Sequence, residues 1–168
     1  GENEKTSPND GNIPWPEVPS VQGRSNWWSF KVRDFAKVFW TEMYFDSFRT
    51  LITEEELIES DKFYRIETPE YWKIGLYLNS SLVNLFREIN AFQSLGDGVL
   101  KSPVYEVENI LVPNKLPNLS AKRFKNFLQR EIKTVFEEVK QKDRIELDTK
   151  ILEALDLDAK LYLPKIYD

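Results

Sequence analysis

The side chains able to do chemistry in this chain are carboxylates, lysines, arginines and aromatics, because it contains neither histidine nor cysteine. Without histidine it lacks the commonest general base and metal ligand, which excludes a histidine-based triad. Without cysteine, disulfides and thiolate metal sites are excluded. Glu54-Glu55-Glu56 offers three carboxylates, but consecutive residues do not converge on one point in a helix or a strand. The run therefore reads as a solvated acidic connection, not a catalytic pair or a metal site. Glu138-Val139-Lys140 repeats only half of a nuclease-type motif, at a spacing that chance supplies.

The cations form three groups. Gly96, Gly98 and Lys101 suit a loop whose N–H groups and ammonium meet a phosphate, or a plain glycine helix cap. The spacing is not that of a P-loop. Arg24, Lys31 and Arg33 stand beside Trp27 and Trp28, the basic and aromatic mixture of nucleic-acid surfaces. Successive tryptophans on a strand point to opposite faces, so one is expected in a core and the other against a base or another domain. Core packing with flanking solvated charges is the alternative. In the third group, Lys122, Lys125, Lys133 and Lys140 fall off the apolar stripe of a helix. That face could track phosphates, although Glu131, Glu137 and Glu138 dilute it.

These groups need elements to hold them. Pro8, Pro14, Pro16 and Pro19 break up the start, so residues 1–22 read as a linker and 23–168 as one domain. Residues 37–45, 48–53 and 62–67 have strand composition, with a turn at Asp46-Ser47. Thr68-Pro69-Glu70 is a helix start, and apolar spacing carries that helix to Phe92. Its apolar face would hold Ile74, Tyr77, Leu78, Leu82, Leu85, Phe86 and Ile89. A second helix over 120–141 buries Phe124, Phe127, Leu128, Ile132, Val135, Phe136 and Val139, and a short one follows near 148–155. The fold class expected is α+β: a small mixed or antiparallel sheet from residues 37–67 and 99–112, packed against two long helices, with a short C-terminal helix.

Hydrophobic content of 41% and aromatic content of 14% fit a packed globule. No apolar run approaches the ~18 residues of a membrane span, and no signal peptide begins the chain, so a cytoplasmic protein is expected. Gly1 in place of an initiator Met reads as an excised fragment. The net charge is −5, which argues against a phosphate-binding surface, but it is unevenly spread. Residues 114–144 hold nine bases against four acids, and residues 50–70 hold seven acids against two bases. Residues 21–49 hold five bases against three acids, and an acidic stretch between two basic ones is compatible with one basic face, or with ordinary solvated surfaces.

The order of short motifs adds a further expectation. Arg24-Ser25-Asn26-Trp27-Trp28 is followed by Asp61-Lys62-Phe63-Tyr64-Arg65-Ile66, then Leu78-Asn79-Ser80-Ser81-Leu82. Next come Gly96-Asp97-Gly98, a short apolar segment stopped at Pro113, and Leu147-Asp148 with Leu155-Asp156-Leu157. This order resembles the C-terminal target-recognition (specificity) domain of adenine-specific DNA methyltransferases, including fused type II restriction-modification enzymes. Asp97 departs from the consecutive glycines of that family. The resemblance implies a C-terminal fragment of a larger protein whose catalytic domain lies upstream. It implies double-stranded DNA and that methyltransferase domain as partners, and S-adenosylmethionine as cofactor of the parent.

The chain has no Pro-Pro pair for the Asn/Asp-Pro-Pro-Tyr/Phe loop of such enzymes, so neither methyl transfer nor a cofactor is expected within it. Arg24, Trp28, Lys31, Arg49, Lys62, Lys101, Lys122 and Lys125 are the candidate DNA-side residues. Within the helix expected after Thr68, Asn79, Ser80 and Ser81 would either bond locally and allow close packing or face DNA or the catalytic domain. A protein-interaction or structural module without DNA binding is the competing reading, and the acidic balance favours it.

Overall fold

The computed structural model describes residues 3–29, 34–91 and 98–168. The chain forms two compact units, divided between Asp34 and Phe35. Lys31, Arg33, Gly96 and Phe92 lie outside the described residues.

The first unit is built from turns. Short 3-10 turns occupy Pro8–Asp10 and Trp15–Glu17, each with proline where its missing N–H is not needed. The Thr6 N–H donates to the Ile13 carbonyl at 2.9 Å, closing a loop around the first turn. The proline-broken start is thus folded on itself locally.

The second unit is α+β. Among its described residues, β1 (Ala36–Thr41), β3 (Leu51–Leu57) and β4 (Phe63–Ile66) make an antiparallel sheet in the order β3-β1-β4. A smaller antiparallel pair joins β2 (Met43–Tyr44) to β5 (Leu100–Lys101). Val38, Phe39 and Trp40 are all buried, as a central strand covered on both faces requires. The expected strand 37–45 is therefore two, parted at Glu42, whose N–H donates to the Lys62 carbonyl. Glu54, Glu55 and Glu56 lie within β3, not in a connection after it. They occupy an irregular stretch between the pairs Val38–Ile52 and Ala36–Leu57, and all three are exposed.

The helices differ from expectation in where they break. The single helix expected over 69–92 is α1 (Tyr71–Leu78) and α2 (Ser81–Asn90). At the break, the Asn79 amide turns inward to hydrogen-bond backbone, and extended Ser80 caps α2 by accepting the Val83 N–H at 3.4 Å. Such residues offer the backbone partners outside a continuous helix.

The helix expected over 120–141 is likewise α4 (Ala121–Gln129) and α5 (Val135–Glu138), after the short α3 (Val104–Glu108). Extended Arg130 sits at the end of α4. Its guanidinium makes a fork to Glu138 at 2.6 and 2.8 Å and a second to Asp143 at 2.8 and 3.1 Å. The Val135 N–H donates to the Asp46 carbonyl at 2.8 Å, so the chain is braced from outside. Phe136, expected on the apolar stripe, is 80% exposed as a result. Next, α6 (Lys142–Ala154) starts earlier than expected, and α7 (Ala159–Tyr167) was not foreseen.

The core gathers Val38, Trp40, Phe48, Leu76, Tyr77, Leu78, Val83, Phe124, Phe127, Leu147 and Ile151. Asp148 of α6 accepts the Ser81 N–H and the Tyr167 hydroxyl, each at 2.8 Å, and so fastens α2 and α7 to α6. Burial pushes the Asp148 carboxyl above the usual carboxylate range. Among the described residues, no helix is long and apolar enough to cross a membrane.

Candidate nucleic-acid interface

Within residues 77–113, the described segments 77–91 and 98–113 border one cleft. Helix α2 forms one wall, and β5 leads through Ser102 and Pro103 into α3, which forms the other. The Ser102 N–H donates to the Glu42 carbonyl at 2.9 Å, fixing where β5 ends. The Tyr77 hydroxyl donates to the Leu111 carbonyl at 2.6 Å, pinning the segment after α3 to α1. The cleft has a volume of about 400 Å³ and is lined by Trp40, Phe86, Arg87, Asn90, Ser102, Tyr105, Asn109 and neighbours.

Arg87 is the unexpected residue of this cleft. It is 5% exposed. Its Nε donates to Ser102 Oγ at 2.9 Å, and its Nη2 donates to the Thr41 carbonyl at 2.5 Å. The guanidinium carbon lies 4.6, 3.7 and 4.2 Å from the ring centres of Trp40, Tyr44 and Phe48, a cation–π environment. Burial pulls this group down to about 9, against Tyr44, Glu88 and Glu106, which favour its charge.

Residues 83 and 87 share a helix face, and that face is the one turned inward. Phe86 and Ile89, placed on the apolar face by periodicity through the break, are 38% and 69% exposed. With exposed Tyr105, Leu111 and Val112, they make the surroundings of the cleft apolar. The signal that could have revealed this is the Asn-Ser-Ser break, which restarts the helical phase.

None of the second unit's candidate DNA residues lines this cleft. In the first unit, Arg24 folds onto its own loop, donating to the Ser29 and Ser20 carbonyls at 2.9 and 3.2 Å. Trp28 is exposed and stands edge-on to Trp27 at 5.8 Å. Lys31 lies outside the described residues.

In the second unit, Arg49 is bonded to backbone. It donates to the Phe127 and Leu128 carbonyls at 2.8 and 3.1 Å, capping the end of α4, and burial lowers its pKa. That guanidinium is committed to the fold. Lys62 is exposed beside Asp61 at 3.4 Å. Lys101 pairs with Glu42 at 2.8 Å, and Gly96 of the expected phosphate loop lies outside the described residues. Lys122 and Lys125 are exposed on α4.

Asn79, Ser80 and Ser81 are buried, so the expectation that they face DNA or another domain gives way to the packing alternative. A second buried polar group went unforeseen. Glu138 accepts from Arg130 and Arg144, and the Arg144 guanidinium also donates to the Asn79 carbonyl. Burial pushes Glu138 up, but the Arg130 hydrogen bonds, the Lys133 N–H and Arg144 outweigh it and hold the carboxyl at about 2. Among the described residues no cluster of acidic side chains suited to a metal ion occurs.

Comparison with known proteins adds no relative: no protein-family model, curated protein or solved structure matches this chain.

Proposed function

We propose that this chain is a DNA target-recognition module of an adenine-specific DNA methyltransferase in a restriction-modification system. It would position duplex DNA for a catalytic domain on the same polypeptide, in the cytoplasm. The observation that carries this reading is the cleft between α2 and α3. Apart from Trp40 it is lined by residues between the Leu78–Leu82 motif and Pro113. Its wall presents Asn90, Tyr105 and Asn109, neutral side chains of the kind that exchange hydrogen bonds with base edges. Exposed Lys122 and Lys125 supply phosphate contacts. The catalytic domain would bind S-adenosylmethionine, extrude the adenine and transfer the methyl group; this chain would do no chemistry.

One observation favours a second reading, a protein-interaction module. Ile89, Tyr105, Leu111 and Val112 are exposed in or beside the same segments, and apolar exposure of this kind marks protein contacts.

The deciding experiment is duplex DNA binding by the chain joined to its catalytic domain, titrated with salt. Affinity that falls steeply with salt and depends on Lys122 and Lys125 supports DNA recognition. DNA binding indifferent to salt and to these lysines overturns it. Failure to retain DNA at low salt, with concentration-dependent self-association, favours the interaction module.

A further inference from the structure

Buried cations in this fold come in two kinds. Arg144, 3% exposed, has the Glu138 carboxylate at 3.3 Å. Arg87 has no carboxylate within ion-pairing reach among the described residues. Its partners are Ser102 Oγ, the Thr41 carbonyl and, at 3.4 Å, Thr41 Oγ1, all neutral oxygens. A guanidinium carries five N–H donors in a planar fork, more than these oxygens engage well. Aromatic faces offset part of the desolvation of a cation, but a buried charge without a counter-ion remains unfavourable.

Two neighbours point the same way. Trp40, fully buried, lines the cleft with Arg87, and its indole N–H has no partner among the described residues. The Tyr44 hydroxyl, on the ring stacked against Arg87, is also buried without one among them. A cation without an ion-paired carboxylate and an unsatisfied indole N–H thus line one cleft of about 400 Å³, with the Tyr44 ring packed behind Arg87.

We propose that this cleft is a phosphate site, with the Arg87 guanidinium as its buried cation and the phosphate of a nucleotide or of a nucleic-acid strand as its ligand. A phosphate supplies several anionic acceptors matched to the guanidinium fork. Tyr105 and Asn109 on α3 and the turn after it are placed to stack on or hydrogen-bond to the attached base. Glu106, which also lines the cleft, opposes an anion and keeps the site weak. The proposal rests on the DNA-recognition reading only for the source of the phosphate.

The test follows the Arg87 Nε–H signal by NMR in the 168-residue chain. The probes are inorganic phosphate, thymidine 5′-monophosphate, thymidine, and single-stranded and duplex DNA. Saturable movement with phosphate or a phosphate ester, and none with thymidine or with chloride at equal ionic strength, is the expected result. Glu106→Gln should tighten binding several-fold and Asn109→Asp should weaken it several-fold, both on the α3 side of the cleft and outside the core.

An Arg87 signal unmoved by every phosphate-bearing probe overturns the proposal. So does movement that neither variant alters, which would mean a general ionic effect. If the monophosphate binds and neither DNA does, the phosphate site stands with a nucleotide rather than a nucleic-acid strand as its ligand. If DNA binds elsewhere with Arg87 unmoved, the phosphate site fails alone.

Discussion

Asn79 and Thr50, 29 residues apart, hold each other's polar groups as two strands would. The Asn79 amide donates to the Thr50 carbonyl at 2.8 Å, and its oxygen accepts the Thr50 N–H at 3.1 Å. Both residues are buried. One side chain thereby satisfies the backbone leading into β3 and also the Gly75 carbonyl of α1. Asn79→Ala leaves buried donors and acceptors unpaired, each costing about 1–3 kcal/mol. The expected loss is about 3 kcal/mol, read as a lower urea midpoint at unchanged slope. A loss below about 1 kcal/mol would mean that water replaces the amide and that the break is not held by this pair.

The Arg130–Glu138 fork makes stability depend on acid. Glu138 sits at about 2 in the fold against 4.5 for a free glutamate carboxyl. A carboxyl depressed by folding contributes stability that is present above the unfolded value and lost as pH falls towards the folded one. Stability should therefore decline between about pH 5 and pH 2. The Glu138 share is on the order of 2 kcal/mol once solvent screening is allowed for. In Glu138→Gln the decline over that window should be shallower, and stability at neutral pH lower, because Arg144 would be left buried without its anion. Equal acid slopes for the two proteins, measured by urea unfolding at stepped pH, would remove Glu138 from the account.

Local chemistry made part of this fold legible in the sequence. Strand β4, and Phe124 and Phe127 on the inner face of α4, follow from composition and spacing, whereas α1 starts at Tyr71, later than the expected Thr68-Pro69 start and without a side-chain cap. What escaped depends on partners distant in the chain. The break at Asn79 is stabilised by Thr50, and the extended Arg130 by Glu138 and Asp143. Periodicity carried across the first break assigned Ile89 to the core and gave no reason to bury Arg87. The cleft was hidden by the same error of phase. Among the basic candidates, Arg49 and Lys101 looked like free cations because their acceptors, the end of α4 and Glu42, are supplied by tertiary structure.

Gly75 permits the closest approach between α1 and β3. A Cβ at this position would lie 2.5 Å from both Cγ1 and Cδ1 of Ile52. Alanine gains about 1 kcal/mol of helix propensity, but overpacking costs typically about 1–3 kcal/mol. Gly75→Ala should thus be destabilising by about 1 kcal/mol. Because the contact is with a side chain, Ile52→Ala should make room for it. The double variant should be more stable than the sum of the two single losses implies, a coupling read from a double-mutant cycle. Strict additivity would show that Ile52 already turns aside without cost.

Lys125 and Arg49 separate the proposed DNA contact from folding. Lys125 is exposed on α4, whereas Arg49 is bonded to the carbonyls at the end of that helix. Each phosphate contact removed should lower the dependence of log affinity on log salt by about 0.9. Replacing Lys122 and Lys125 together by Ala should therefore reduce that slope by about 1.8, with stability changed by less than about 0.5 kcal/mol. Arg49→Ala should do the reverse. It would uncap two carbonyls and cost about 1–3 kcal/mol of stability, while leaving the salt slope of the folded protein unchanged. Fluorescence anisotropy on duplex DNA with the catalytic domain attached, alongside urea unfolding, measures both quantities. A salt slope that drops for Arg49→Ala and not for the lysine pair would move the phosphate-tracking surface away from α4 and towards the sheet end where Arg49 begins.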